Sequence, residues 1–271
     1  MNVYDDNNFF NKVKEVLEQK TIKLKISLFN NLNINFQSNL LNFNKLEDIK
    51  IFKVPAYNKI CNIVNAKDIK NKKNLHEKSG IASLLHSVAH IEYSAIDLAL
   101  DACYRFQGLP LQYYKDWMSV ASDEIRHFEL ICELMKKYNI SYGDLPVHQG
   151  LFDASMKSLD LITRMALIPR YMEANGLDSN AFIISKLKKL KNTKEVIELF
   201  ELILNEEVAH VKKGDIWYKY ACNKKENFTC NYFDIVNKIH PNSFKTNKNI
   251  NEEARKKAGF SEEEIQKLKN Y

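Results

Sequence analysis

The residues best suited to chemistry in this sequence are two copies of the pattern Glu-x-x-His. The first copy runs from Glu124 to His127, and the second runs from Glu207 to His210. A spacing of three residues places both side chains on one face of a helix, about one turn apart. From that face a carboxylate and an imidazole can reach the same metal ion or two adjacent ions. One copy of so short a pattern indicates little, because charged residues are common on helices.

Two further glutamates precede these pairs at matched distances. Glu92 lies 32 residues before Glu124, and Glu173 lies 34 residues before Glu207. Each interval is the length of one helical hairpin, so each half of the sequence combines a lone Glu with Glu-x-x-His. In di-iron bundles two helices supply Glu-x-x-His and the other two supply one Glu each. We therefore predict a di-metal site with the ligands Glu92, Glu124, His127, Glu173, Glu207 and His210.

The neighbours of these residues fit a metal site as well. Glu92 lies in an apolar helical stripe, where an unpaired carboxylate costs on the order of several kcal/mol unless a cation compensates it. Metal-bound histidines usually donate their second ring N–H to a carboxylate or a carbonyl. We expect Asp123 to support His210, Glu206 to support His127, and Arg126 to link these acids. The alternative for all three is ordinary surface charge.

The ligand types also bear on the metal. Mixed carboxylate and imidazole ligands suit iron and manganese, and no thiolate directs the site toward structural zinc. We expect two iron ions, with manganese or a mixed Mn/Fe pair as alternatives. His90 stands two residues before Glu92, about 200° around the helix. We therefore expect His90 to face a neighbouring helix or solvent, and we do not count His86 as a ligand either.

Helical periodicity defines the elements that must position these residues. Gly (7 residues) and Pro (5 residues) are scarce, which favours long helices over tight turns. Long helices are predicted over 81–106, 111–138, 153–174 and 194–222, and a short helix is predicted over 178–190. Asp153 suits the N-cap of the third helix, and Gly176 suits its end. The predicted fold is all-α: a four-helix bundle over residues 80–222, with an N-terminal extension (1–79) and a C-terminal extension (223–271).

Composition and charge indicate in which compartment the protein works and whether it spans a membrane. Residues 80–222 hold 16 Lys or Arg against 19 Asp or Glu, so the basic excess of the chain (+6) lies in the two extensions. No apolar stretch reaches the ~18 residues of a membrane span. Five cysteines without a Cys-x-x-Cys pair, and an N-terminus unlike a signal peptide, favour a reducing compartment. We expect a cytoplasmic protein with no membrane partner.

Longer strings resemble a known family. The sequence is similar to the bacterial ferritin-like family known as domain of unknown function 455, over roughly residues 80–260. The strings that carry the likeness lie at 90–101, 116–121, 142–148, 169–178, 207–211 and 251–260. The ligand pattern also resembles tRNA-hydroxylating and rubrerythrin-like di-iron proteins more distantly. The resemblance implies a ferritin-like fold and a metal site, without a settled reaction.

Three functions fit these features. The first is an O2-activating di-iron oxidoreductase, a hydroxylase or oxidase, with an unknown electron donor and an unidentified substrate. A small molecule or a modified tRNA is the substrate class we consider, the latter because of the basic extensions. The second is a non-catalytic protein that handles iron or peroxide. The third is a scaffold that its metal stabilises. The sequence leaves the oligomeric state open.

Overall fold

The computed structural model describes residues 5–69, 74–225, 230–246 and 249–271. Over these ranges the chain forms helices and no β-strand, and its β features are two isolated bridges, Asn8 with Asn42 and Ile63 with Val147. The all-α prediction is therefore confirmed for the part of the chain described. None of the helices in these ranges is both long and apolar enough to cross a lipid bilayer.

The α-helices, in chain order, are α1 (Phe9–Leu17), α2 (Ile22–Gln37), α3 (Lys78–Arg105), α4 (Leu111–Lys136), α5 (Gly150–Lys157), α6 (Leu161–Leu167), α7 (Ala174–Leu187), α8 (Lys194–Asn223), α9 (Tyr232–Ile239), α10 (Glu252–Lys257) and α11 (Glu262–Lys269). A π-helix spans Ile168–Glu173, between α6 and α7. Short 3-10 helices lie at Ala56–Lys59, Ala66–Asp68 and Ser243–Thr246. The chain divides into two compact units, Met1–Phe152 and Asp153–Tyr271.

The first unit is built around the hairpin of α3 and α4, which pack against each other. Gly108 turns the chain between them with a φ of +78°, in the left-handed region that glycine adopts without steric cost. Pro110 stands at the N-cap of α4, where the proline cannot interrupt a helical hydrogen bond. The predicted helices 81–106 and 111–138 are thereby confirmed, with their ends shifted by at most three residues.

The N-terminal helices are anchored on this hairpin. Phe9 and Phe10 of α1 are fully buried. The ring centroids of Phe43 and Tyr114 lie 4.9–6.2 Å from the ring centroids of these two residues. Lys25 of α2 is also fully buried, and its ammonium pairs with the Asp97 carboxylate of α3. The N-terminal segment thus contributes both apolar contacts and a buried ion pair to the first unit.

The second unit is organised by α8, the longest helix, which agrees with the prediction over 194–222. The run of α6, the π-helix and α7 packs along α8, and α10 contacts it as well. Helix α9 packs against α6. A disulfide between Cys222 and Cys230 ties the last turn of α8 to the segment before α9.

The structure corrects the prediction of one helix over 153–174 that ends at Gly176. The Asp160 side chain accepts a hydrogen bond from the backbone N–H of Thr163, so a new helix begins after α5. Pro169 has no backbone N–H, and the chain widens there into the π-helix. A Cβ at Gly176 would meet nothing within 4 Å, and α7 continues through this residue to Leu187.

Candidate metal centre

The first unit brings one predicted ligand of α3 together with two of α4. Glu92, Glu124 and His127 are all buried, with 4%, 1% and 0% of their surface exposed. The Nδ1 atom of His127 lies 3.1 Å from Oε2 of Glu92 and 3.7 Å from Oε2 of Glu124. One ligand atom from each of the three residues lies within 4.8 Å of the others. These distances allow all three side chains to bind a single ion.

The charge of this cluster fits a cation. Burial alone would lower the pKa of His127, but hydrogen bonds and charge from Glu124 and Glu92 outweigh it and raise the pKa to about 11. Without a metal, the two buried carboxylates therefore keep a proton on the imidazole. A divalent ion can replace this proton, because it supplies positive charge to the same oxygen atoms and binds the deprotonated nitrogen.

The second unit holds the other three predicted ligands. Glu207 and His210 lie on one face of α8, where Nδ1 of His210 is 3.2 Å from Oε1 of Glu207. Both side chains are buried. Glu173 is half-buried and is the last residue of the π-helix, which packs against α8. Each unit thus carries one lone glutamate and one Glu-x-x-His pair.

A close helix contact sets the distance between the π-helix and α8. A Cβ built on Gly214 of α8 would lie 2.1 Å from Cβ of Pro169, far inside a normal contact. Glycine is therefore required for the two elements to approach this closely. Gly214 stands one turn after His210, and Pro169 stands four residues before Glu173, so the contact lies beside the predicted ligands.

The acids predicted to support the histidines lie next to the ligands in the chain. Asp123 forms an ion pair with Arg126 on α4, with 3.4 Å between Oδ1 and Nη2. Both side chains are partly exposed, and Glu206 of α8 is half-buried. The contact between Asp123 and Arg126 fits both a linked network and an ordinary surface ion pair. The support of His210 by Asp123 and of His127 by Glu206 stays a prediction.

His90 takes part in a separate polar group within the first unit, and it faces the segment between α4 and α5 instead of the neighbouring helix or solvent that we expected. Its Nε2 lies 2.8 Å from the carbonyl oxygen of His148, so Nε2 carries the proton and donates. Its Nδ1 lies 3.0 Å from the Tyr142 hydroxyl and accepts from it. Burial lowers the pKa of His90 to about 4, although the His148 carbonyl opposes this shift. The hydroxyl of Tyr93 is buried in the same region.

The residue that sequence reasoning missed is Arg170, which lies in the π-helix. Arg170 is 1% exposed, and its guanidinium pairs with Asp215 of α8 and Glu264 of α11. The available signal was its position in the apolar stripe that precedes Glu173, because a charge buried in such a stripe requires partners. The partners themselves lie 45 and 94 residues further along the chain, where no local pattern points to them.

Comparisons with known proteins place the chain in a family. The family model described as "Protein of unknown function (DUF455)" matches residues 18–266. An uncharacterized protein of Haemophilus influenzae (strain ATCC 51907 / DSM 11121 / KW20 / Rd) is 33% identical over 286 residues, which cover 97% of this chain and 96% of the relative. No solved structure matches the chain at a significant level. The family match extends well beyond the predicted bundle on both sides, and the chain belongs to the DUF455 family of proteins of unknown function.

Proposed function

We propose that this chain is a ferritin-like di-metal carboxylate protein that activates O2 and oxidises a substrate. The observation that carries the proposal is the buried group of Glu92, Glu124 and His127. Two carboxylates and an imidazole meet there, and the imidazole holds a proton that a cation can replace. Buried charges of this kind are commonly paired or bound to metals. Perturbed pKa values also concentrate at functional sites, which supports the same conclusion.

We further propose that the two half-sites act together. Glu207 would join Glu92, Glu124 and His127 around one ion, and Glu173 with His210 would complete the ligands of a second ion. The hairpin of α3 and α4, helix α8, and the run of α6, π-helix and α7 would then form the four-helix bundle. The ligand count supports this arrangement, because four carboxylates balance the charge of two divalent ions.

The proposed cofactor is a pair of iron ions, with manganese or a mixed pair as alternatives. When bound, such ions would supply the electrons that reduce O2. The chain's own residues hold the ions, orient them and exclude water. Tyr93 and Phe128 follow Glu92 and His127 in the chain, and both rings are buried with their centroids 5.2 Å apart. The burial of Glu92, Glu124 and His127 themselves supports a site from which water is excluded, where low dielectric strengthens electrostatic interactions.

We propose an external electron donor and an organic substrate as partners. The formal charge of +6 and the basic extensions suit an anionic substrate such as a modified tRNA, while a small molecule needs no such charge. Cytoplasmic location is part of the same proposal, since an Fe(II) cofactor and a cellular reductant are both present there. The Cys222–Cys230 disulfide is the feature that counts against it, because disulfides are rare in reducing compartments.

The decisive test compares ligand and control variants of α4. Glu124→Gln removes a buried ligand carboxylate, whereas Glu129→Gln makes the same change at an exposed position five residues later. Under anaerobic conditions we expect wild type and Glu129→Gln to bind two Fe(II) per chain. We expect Glu124→Gln to bind fewer. Equal stoichiometry in all three proteins would contradict the site.

Exposure of the loaded protein to O2 then separates the candidate functions. A transient absorbance change followed by oxidation of the bound iron supports an oxidoreductase. Uptake of many irons per chain would indicate storage instead. A protein that does not react with O2, but loses much of its thermal stability on chelation, would indicate a scaffold. The Glu124→Gln protein serves as the blank for each measurement.

A further inference from the structure

Helices α9 and α11, and the segment between α10 and α11, contact one buried side chain of the π-helix, Arg170. Its Nη1 lies 3.1 Å from Oδ1 of Asp215 on α8, and its Nη2 lies 2.6 Å from Oε1 of Glu264 on α11. The planar guanidinium presents several N–H donors in a fixed fork, so one side chain can bind two carboxylates in different directions. Arg170 thus connects three elements of the second unit, through an ion pair with Asp215 and a charge-assisted hydrogen bond to Glu264.

Aromatic rings surround the same guanidinium. The Cζ atom of Arg170 lies 4.8 Å from the ring centroid of Tyr218, and 4.7 Å from those of Tyr232 and Phe260. A cation over such ring faces is attracted by the negative face of each aromatic ring. Tyr218 belongs to α8, Tyr232 to α9, and Phe260 lies between α10 and α11. Together with Asp215 and Glu264, these residues form what we call the Arg170 cluster.

The backbone of the π-helix is held by the same region. The Tyr232 hydroxyl donates a hydrogen bond to the carbonyl oxygen of Arg170 at 2.8 Å. The next residue, Tyr171, donates its own hydroxyl to the carbonyl oxygen of Ser243 at 3.1 Å, and its ring packs on Phe244. Two successive residues of the π-helix are therefore tied to the C-terminal segment by both side chain and main chain.

The π-helix is also held in register against α8. Pro169 contacts Gly214, and the next residue, Arg170, pairs with Asp215, which follows Gly214. Asp215 is 3% exposed and also accepts a hydrogen bond from Lys219 at 2.6 Å. Burial raises the pKa of Asp215, while Arg170 and Lys219 lower it. Without Arg170, the buried Asp215 would keep only one cationic partner in the contacts described above.

We propose that Arg170 is a positioning residue through which α9, α11 and Phe260 fix the π-helix, so that Glu173 faces the ligands of α8. This inference rests on the proposed function, because it assigns Glu173 to metal binding. Glu173 follows Arg170 by three residues and ends the same π-helix. A shift of the π-helix along α8 therefore moves the Glu173 carboxylate relative to Glu207 and His210. The C-terminal helices act on the metal without touching it.

The chain offers a matched control in its second buried arginine of this region. Arg255 is 1% exposed like Arg170, pairs with the Asp178 carboxylate at 2.6 Å, and has its Cζ 5.1 Å from the ring centroid of Phe260. Asp178, however, belongs to α7 and not to the π-helix. Arg170→Lys and Arg255→Lys each keep a positive charge and lose the fork, so both should lower thermal stability.

The test titrates anaerobic wild type, Arg170→Lys and Arg255→Lys with Fe(II), and with Co(II), whose visible absorption reports ligand geometry. We expect Arg170→Lys to bind its second ion about 10- to 100-fold more weakly, the range for residues that orient a ligand. Its Co(II) spectrum should change, while Arg255→Lys keeps both ions and the wild-type spectrum. If Arg170→Lys does not fold, Tyr232→Phe is the second variant. It removes only the hydrogen bond from the Tyr232 hydroxyl to the Arg170 carbonyl, and it should weaken the binding of the same second ion.

The outcomes separate this inference from the proposed function. If wild type binds two ions and Arg170→Lys binds them as Arg255→Lys does, the positioning role is wrong and the di-metal site stands. If wild type binds no ion, both proposals are wrong. A stoichiometry of two in wild type, with selective loss of the second ion in Arg170→Lys, supports both.

Discussion

Replacing Gly214 by alanine tests the close approach of α8 and the π-helix. The added Cβ would lie 2.1 Å from Cβ of Pro169 and 2.3 Å from its Cγ. Carbon atoms in contact normally lie about 3.5–4.0 Å apart, so the two elements must separate by roughly 1.5 Å. Overpacking of this kind costs up to about 3 kcal/mol. The better helix propensity of alanine returns about 1 kcal/mol, which leaves a net loss of about 2 kcal/mol.

Gly176→Ala is the matched control for this prediction. Gly176 lies in α7, and a Cβ built there meets no atom within 4 Å. The same chemical change should therefore stabilise the protein by about 0.5–1 kcal/mol. A difference near 3 kcal/mol between the two variants corresponds to midpoints of thermal unfolding about 6 °C apart for a chain of this size.

Circular dichroism melts and urea titrations of the metal-free proteins measure this difference. Iron titration of Gly214→Ala adds a second measure, because displacement of the π-helix should weaken the binding of the ion that Glu173 is proposed to hold. Equal stability of Gly214→Ala and Gly176→Ala would refute the close-contact argument. A destabilised Gly214→Ala protein with unchanged iron affinity would show that the contact affects the fold alone.

Three further predictions concern stability. The pKa of His90 is about 4 in the folded state and about 6.5 in the unfolded state, so the unfolded chain takes up a proton first as the pH falls. The free energy of unfolding should therefore decrease by about 3 kcal/mol between pH 6.5 and pH 4. Urea titrations should show this decrease in wild type and not in His90→Gln. Lys25→Met leaves the Asp97 carboxylate, whose side chain is 18% exposed, without its ammonium partner and should cost about 3 kcal/mol, whereas Lys25→Met combined with Asp97→Leu should recover most of it. Cys222→Ser opens the short loop to Cys230 and should lower the unfolding free energy by about 2.5 kcal/mol in chemical denaturation, with no further loss on adding a thiol reductant.

Local patterns were sufficient to predict the long helices. The segments of α3, α4 and α8 carry apolar residues at helical spacing with no proline inside, so their periodicity stays in phase from end to end. The prediction of the third helix was wrong because two single residues, Asp160 and Pro169, interrupt the α-helix. Apolar periodicity is judged over many residues and does not detect such interruptions. The arrangement of four helices as a bundle, and the three-segment division of the chain, stay predictions.

The site was predictable to the extent that it depends on helical spacing. The i, i+3 pair of Glu124 and His127 lies on one buried face, and Glu92 of the neighbouring helix reaches it, as the hairpin length indicated. Arg170 was not predictable, because its carboxylate partners lie far along the chain. The disulfide of Cys222 and Cys230 was likewise missed, since a separation of eight residues does not by itself indicate that two thiols lie within bonding distance.

The π-helix has a consequence for comparing related sequences. A π-turn bonds residues five apart where an α-turn bonds residues four apart, so it accommodates one additional residue. Deleting one residue from this turn would therefore leave an ordinary α-helix in which α6 and α7 keep nearly the same relative orientation. A relative with a one-residue gap at this place should keep its glutamate on the same helix face, whereas an ungapped alignment would displace every residue before the gap by one position.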